Sequence, residues 1–222
     1  MTPTLNQIVS SRFSCRAFVD RQVPRQTIEK ILAVAQRTPS WCNTQPWQLI
    51  LTSGNATRKF RSAFAEYLAI NSELHPDIPF PRQYHGIYQD RRRESGFQLY
   101  AALGIEKGDR TAYERQTLKN FSFFGAPHVA IVTTPEELGA YGAIDCGAYI
   151  GVFTLAACEL GVATIPQAAL AGYSAFIREY FSIPQGRKVV AGISFGYADE
   201  KHPANSFRTN RSPLNAVVDW KE

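Results

Sequence analysis

Cysteine is scarce in this chain: Cys15, Cys42, Cys146 and Cys158 are the four among 222 residues, with no Cys-x-x-Cys pair and no neighbouring histidine cluster. Zinc binding is therefore not expected, and free thiols in a reducing cytoplasm are. No Gly-x-Gly-x-x-Gly opens a helix after a strand, which argues against a Rossmann domain. The first residues, Met1-Thr2-Pro3-Thr4-Leu5, show no basic region followed by an apolar core, so no secretory signal is read. The most apolar stretch, Ala143 to Leu160, contains Asp145 and Glu159 and no uninterrupted run long enough for a bilayer, so no membrane helix is expected. There is no Ser-His-Asp set, carboxylate pair or metal cluster. His75, His85, His128 and His202 lie far apart and are expected to be solvated rather than catalytic.

What is present describes an ordinary globular chain: 45% apolar and 19% charged residues, enough length for one domain with a sizeable core. The net charge of +5 and the run Arg91-Arg92-Arg93 raise nucleic acid as a partner. The basic residues are scattered and no helix-turn-helix, RNP or zinc-finger pattern accompanies them, so no nucleic-acid partner is expected.

Helical spacing of Leu5, Ile8 and Val9 predicts a short first helix, and Pro24 followed by Ile28, Ile31, Leu32 and Ala35 predicts a second. A strand at Leu49-Ile50-Leu51 leads to a helix capped at Asn55 and carrying Phe60, Phe64, Tyr67 and Leu68. Pro76, Pro79 and Pro81 make 71–86 a loop; 91–103 and 111–124 read as helices, and 129–132 as a strand. Thr134 to Glu137 has the composition of a helix start or a turn. Asp145 to Leu160 is apolar on every face, which requires burial all round, most economically inside a dimer. A helix after Tyr173, a strand over 188–197 and an extended tail from Ala198 complete the reading.

The most informative run is Pro39-Ser40-Trp41-Cys42-Asn43-Thr44-Gln45-Pro46-Trp47. Two prolines stiffen it, and its tryptophans, amides and hydroxyls suit a flat heterocycle with polar edges; a rigid connector with Trp47 in the core is the plainer alternative. Three further segments accompany it: Arg12-Phe13-Ser14-Cys15-Arg16-Ala17-Phe18, Gly161-Val162-Ala163-Thr164-Ile165-Pro166-Gln167-Ala168-Ala169, and Asn205-Ser206-Phe207-Arg208-Thr209-Asn210-Arg211-Ser212-Pro213-Leu214. Together, in this order and over nearly the whole chain, they resemble the flavin-binding signatures of the nitroreductase family, small FMN-dependent, NAD(P)H-oxidising homodimers.

The resemblance implies an α+β sandwich over residues 1–222, with a central, mostly antiparallel sheet flanked by helices and two interlocked subunits sharing two flavins. Its C-terminal arm, 198–222, would reach across the partner, and a nicotinamide would dock transiently. By the same resemblance Arg12, Phe13 and Ser14 meet the FMN phosphate and ribityl chain, with Arg208 or, preferred, Arg211. Planar guanidinium groups suit a phosphate. Arg16 would neutralise the charge that reduction leaves at the pyrimidine edge, as an oxyanion hole does. Pro166 would pack on the ring, with Gln167 beside it and the N–H groups of Ala168 and Ala169 near N5 and O4. Pro39, Ser40, Trp41, Asn43 and Gln45 would come from the other subunit.

No catalytic side chain is expected, because the flavin supplies the chemistry. The implied reaction is ping-pong reduction of flat, electron-poor acceptors, nitroaromatics or quinones, by NADH or NADPH. The segment 71–109 is either a lid over the acceptor pocket or a surface excursion. Reductive dehalogenation, flavin fragmentation and non-enzymatic flavin binding stay open at this point.

Overall fold

The computed structural model describes residues 3–222. Thr4 starts helix α1 (Leu5–Ser11) with a reciprocal cap: its hydroxyl accepts from the Gln7 N–H, and the Gln7 side chain accepts from the Thr4 N–H at 2.7 Å. Helix α2 (Arg25–Ala35) buries Ile28, Ile31 and Ala35, the stripe its spacing predicts. Strand β1 (Gln48–Ser53) follows the 39–47 loop and runs into α3 (Gly54–Ile70), which buries Phe60 and Phe64. Asn55 does not cap α3. Ser53 holds the cap position without a side-chain bond, and Gly54 makes the turn at φ +52°.

After the proline-rich loop come α4 (Gly86–Ala102) and α5 (Arg110–Leu118). The first starts at Gly86 rather than Arg91. The second ends at Leu118, short of the expected 124, and Phe123 and Phe124 adopt positive φ in a separate turn over Phe123–Gly125. No residue of α4 is fully buried, though Ser95, Gln98, Leu99 and Tyr100 are half-buried against the body. Strand β2 (His128–Pro135) and a short turn, Glu136–Leu138, lead into α6 (Gly139–Glu159). Strand β3 (Ala163–Gln167) and the single-turn helix α7 (Ala168–Ala171) occupy a stretch whose plain reading was a turn. Helix α8 (Ser174–Phe181) and strand β4 (Arg187–Gly196) complete the core.

The sheet runs β1-β2-β4-β3 with every pair antiparallel. On β2, Ala130 and Val132 face the core under α2 and α6, while Val129 and Ile131 face the aromatic core of Phe60, Phe64, Phe123 and Ile177. A bulge shifts the β2–β4 register: Val132 opposes Ala191, Thr133 opposes Val189, and Val190 is the extra residue. Val189 therefore joins the aromatic core, while Ile193 and Phe195, of the same parity, join the other.

One sequence expectation is corrected here, and one reaches beyond a single chain. His128 is not solvated: it is 1% exposed, its Nε2 accepts from the Val23 N–H at 2.9 Å, and burial holds its pKa below the ordinary 6.5. Within one chain α6 is not covered all round. Asp145, Cys146, Tyr149, Phe153, Ala156 and Ala157 are buried against the fold, while Tyr141, Ile144, Gly147, Ala148 and Gly151 are exposed. By length and composition the segment Glu136–Glu159 is apolar enough to cross a membrane, but its inner face belongs to the core.

Candidate active site

Strand β3 brings the distant segments together. Ser14 bridges Thr164 in parallel, and the Cys15 N–H donates to the Thr164 carbonyl at 3.0 Å. The Arg12–Arg16 segment thus lies along the edge of β3, which ends in Pro166 and Gln167. Asn205, 5% exposed, ties the C-terminal segment to the same place: its Oδ1 accepts from the Arg16 N–H at 2.8 Å, and its Nδ2 donates to the carbonyls of Ala17 and Asp199, each at 2.9 Å. Sequence reasoning assigned Asn205 no role. That residue opens the C-terminal motif, and nothing in the motif's composition marks it as the one that ties the segments together.

Two contiguous chambers result, sharing Ser14 and Arg16. The larger, about 570 Å³, is lined by Arg12, Phe13, Arg16, Arg208 and Arg211, with Ser95 from α4. It holds four guanidinium groups and no carboxylate. Among the described residues none of the four is ion-paired; the Arg208 guanidinium lies 3.9 Å from the Phe13 ring centre, and the Arg211 guanidinium donates to Thr209 and Asn210. Burial pushes the Arg16 pKa down, its Nη1 finding the Ser14 carbonyl at 3.1 Å. Such a chamber is built for an anion: a phosphate accepts guanidinium donors and supplies the missing countercharge.

The smaller chamber, about 310 Å³, runs from Arg16 to Pro166, Ala168 and Ala169. Ala168 and Ala169 open α7, where N–H groups have no partner inside the helix. Donors therefore stand at both ends, a cation at one and backbone amides at the other, as a ring with carbonyl edges requires. The Gln167 side chain lies inward, 3% exposed; its Nε2 donates to the Asn120 carbonyl at 2.9 Å and its Oε1 accepts from the Ser194 hydroxyl at 2.5 Å. These bonds fix the strand end beside the chamber, which Gln167 also lines.

Gln116, Thr117 and Asn120, from α5 and the turn after it, and Leu99 and Tyr100 from α4, line the same chamber. Sequence reasoning missed them. The α4 residues fell inside the 71–109 segment, read as a lid or a surface excursion, and nothing in the α5 sequence marks a binding face. The thiols near the site are inert: burial raises Cys15 to about 11, and Cys146 likewise to about 11.

Pro39, Ser40, Trp41, Asn43 and Gln45 line neither chamber of their own chain. Their loop forms a separate exposed platform. Cys42, Asn43 and Gln45 all take positive φ, a conformation that Asn adopts readily and that is costly for Cys and Gln. Asp145 holds it in place, its carboxylate accepting from the Trp41 N–H at 3.1 and 3.3 Å, while the Ser40 hydroxyl accepts from the Gln45 N–H at 2.9 Å. Trp41 is 58% exposed and packs edge-on against Tyr141; Trp47 is the core residue of the plainer reading, 6% exposed and bonded to Gln36 at 3.0 Å.

Comparison with known proteins agrees with this geometry. The family model described as "Nitroreductase family" matches residues 9–197. Nitroreductase NfnB of Mycolicibacterium smegmatis is 34% identical over 215 residues, covering 96% of this chain and 90% of that protein. A 4-nitrobenzoate reductase of Nocardioides sp. (strain LMS-CY) is 35% identical over 215 residues, covering 95% and 87%. The crystal structure of an FMN- and NADPH-dependent nitroreductase NfnB from sphigopyxis sp. strain HMH superposes with a TM-score of 0.95 at 31% identity, over 99% of this chain and 100% of that one. The M. smegmatis FMN-dependent enzyme in complex with NADPH superposes at 0.92 with 32% identity, covering 98% and 97%. From the first helix to the end of the last strand, in sequence and in backbone alike, the chain belongs to the nitroreductase family.

Proposed function

We propose that this protein is an FMN-dependent oxidoreductase that uses NAD(P)H to reduce nitroaromatics, nitrobenzoates or quinones. The observation that carries the reading is the chamber of four arginines, none ion-paired among the described residues, opening through Ser14 and Arg16 into a pocket edged with donors. When bound, FMN supplies the two-electron exchange between a nicotinamide and a flat, electron-poor acceptor. The chain does the rest. Arg12, Arg208 and Arg211 hold the phosphate, and Phe13 keeps Arg208 in place through its ring face. Arg16 holds a positive charge in a partly dehydrated site, where it opposes accumulating negative charge most effectively. Pro166 and the short side chains of Ala168 and Ala169 let the backbone approach a ring closely.

The active unit in this reading is a cytoplasmic homodimer of one 222-residue FMN-binding domain, and the 39–45 platform completes the partner's site. The exposed apolar face of α6 and the exposed Leu214, Val217 and Trp220 of the arm support it. The arm also bonds to its own chain, Asn210 to Glu94 at 2.7 Å and Arg91 to Ser212 at 2.5 Å. The segment 71–109 acts as a lid, which the lack of any fully buried residue in α4 supports.

Purified protein tests the whole reading. It should be yellow, bleach anaerobically on addition of NADPH or NADH, and recover its colour on addition of 4-nitrobenzoate or a quinone. Protein that stays colourless when soaked in FMN would end it; flavin that binds but does not bleach would leave only a binding protein.

A further inference from the structure

The arginine chamber opens further, away from the ring pocket. A third chamber, about 590 Å³, shares Ser95, Thr209 and Arg211 with it and lies between α4 and the C-terminal arm. Its size is that of a small-molecule site. One face of α4 supplies Arg91, Glu94, Ser95 and Gln98, at three- and four-residue spacing. The arm closes the other side, held by Arg91 to Ser212 at 2.5 Å and by Asn210 to Glu94 at 2.7 Å.

This lining selects its guest. Arg91 and Arg211 only donate, and call for negative charge. Gln98 Oε1 is buried and has no donor among the described residues, while its Nε2 reaches Glu94 only at 3.5 Å. Native folds rarely leave a buried acceptor unmatched, so an orphan on a chamber wall points to a guest that brings a donor. The Glu94 carboxylate accepts from Asn210 and has lone pairs to spare. An inorganic anion brings charge without the donors. A nucleotide brings both: phosphate for the guanidinium groups, ribose hydroxyls for the carboxylate, and a base edge for the carboxamide. Adenine carries an amino donor beside a ring acceptor, the pair that a glutamine side chain matches.

Resting on the FMN reading above, we propose that the third chamber is an adenylate subsite, which takes the AMP half of a dinucleotide. Two dinucleotides have that half in reach. In flavin adenine dinucleotide it is joined to the phosphate that the arginine chamber holds. In a nicotinamide dinucleotide lying along the flavin it arrives at the same place from the ring pocket. In both, Gln98 meets the base, Glu94 the ribose, and Arg91 and Arg211 the phosphates. The run Arg91-Arg92-Arg93 then has one member turned to a ligand, because Arg93, two residues on, falls on the far side of α4.

Calorimetry of the flavin-loaded protein with AMP and with inorganic phosphate tests the subsite. AMP should bind at least tenfold more tightly than phosphate. Gln98→Leu and Arg91→Ala should each weaken AMP by roughly fivefold or more, the size of one lost hydrogen bond, and Arg93→Ala should not. Two further measurements tell the sources apart. Chain freed of flavin and titrated by fluorescence quenching should bind FAD at least as tightly as FMN if the cofactor fills the subsite. If the hydride donor fills it, NADH should exceed reduced nicotinamide mononucleotide, which lacks the AMP half, by tenfold or more in kcat/KM. AMP affinity that equals that of phosphate, or that is unchanged in the folded Gln98→Leu and Arg91→Ala variants, overturns the proposal. So does AMP binding with no gain from the AMP half of either dinucleotide. A wild type that binds no flavin at all overturns the functional reading itself, a distinct result.

Discussion

Arg16 shows how one residue is given its task by what surrounds it. Its backbone is pinned by Asn205, its side chain is half-buried, and no carboxylate lines the chambers it borders. Unit charges about 4 Å apart interact by roughly 4 kcal/mol at an effective dielectric of about 20, so this cation bears heavily on charge forming beside it. Arg16→Ala should weaken FMN binding by at least about tenfold and lower the flavin midpoint potential, because the reduced, anionic form loses its countercharge. Arg16→Lys should recover most of the potential. Spectroelectrochemistry reads both, and an unchanged potential in the Ala variant removes the role. His128 yields a second prediction. Its folded pKa lies below 6.5, so as pH falls through 6.5 the unfolded chain binds a proton that the folded chain does not. Stability contributed by neutral His128 is present above that pH and lost below it. Urea unfolding should show the loss between about pH 7 and pH 5; an equal slope in His128→Gln would assign it elsewhere.

At the level of elements, the structure places the site by details that hydrophobic patterning does not carry. The stripes of α2 and α3 were legible because one face of each is buried, and so was the apolar run of β2. The Val190 bulge was not, since an extra residue inside an apolar strand leaves the composition unchanged. Nor was β3, five residues long and containing a proline, although it aligns Ser14 with the 165–169 segment. The three segments that line the chambers were legible, as residue types that a phosphate and a heterocycle require; Gln116 was not, because only an amide without a partner among the described residues distinguishes it from any polar helix residue. Gly196 measures how tightly β4 is seated. A Cβ there would stand 2.6 Å from Pro127 Cδ and 2.8 Å from Pro127 Cγ, a rigid ring that cannot rotate away. Gly196→Ala should cost about 1–3 kcal/mol, the usual penalty of overpacking a dense core. Equilibrium unfolding checks it, and a loss below about 0.5 kcal/mol would mean that the strand shifts freely.

On the proposed reading, the whole molecule's site has two parts that one chain does not join: the arginine-lined chambers, and the 39–45 platform held by Asp145 on α6. The same helix carries an exposed apolar stripe, Tyr141, Ile144, Ala148 and Gly151, repeating at three- and four-residue intervals with Gly147 beside it. Tyr141 and Ile144 are 55% and 62% exposed. Small residues in the middle of such a stripe let a second helix approach closely. In a two-fold dimer the stripe meets its own copy, so a charge placed there faces a like charge as well as losing water. Gly151→Glu should therefore yield a folded monomer that has lost its yellow colour, because the 39–45 platform no longer reaches a partner's chamber. Ala148→Ser, which adds one small hydroxyl, should stay dimeric and coloured. Light scattering coupled to size exclusion, read with the visible flavin absorbance, separates the outcomes. A wild type that is monomeric yet holds flavin stoichiometrically would show that one chain builds the site alone, and the platform would then need another purpose.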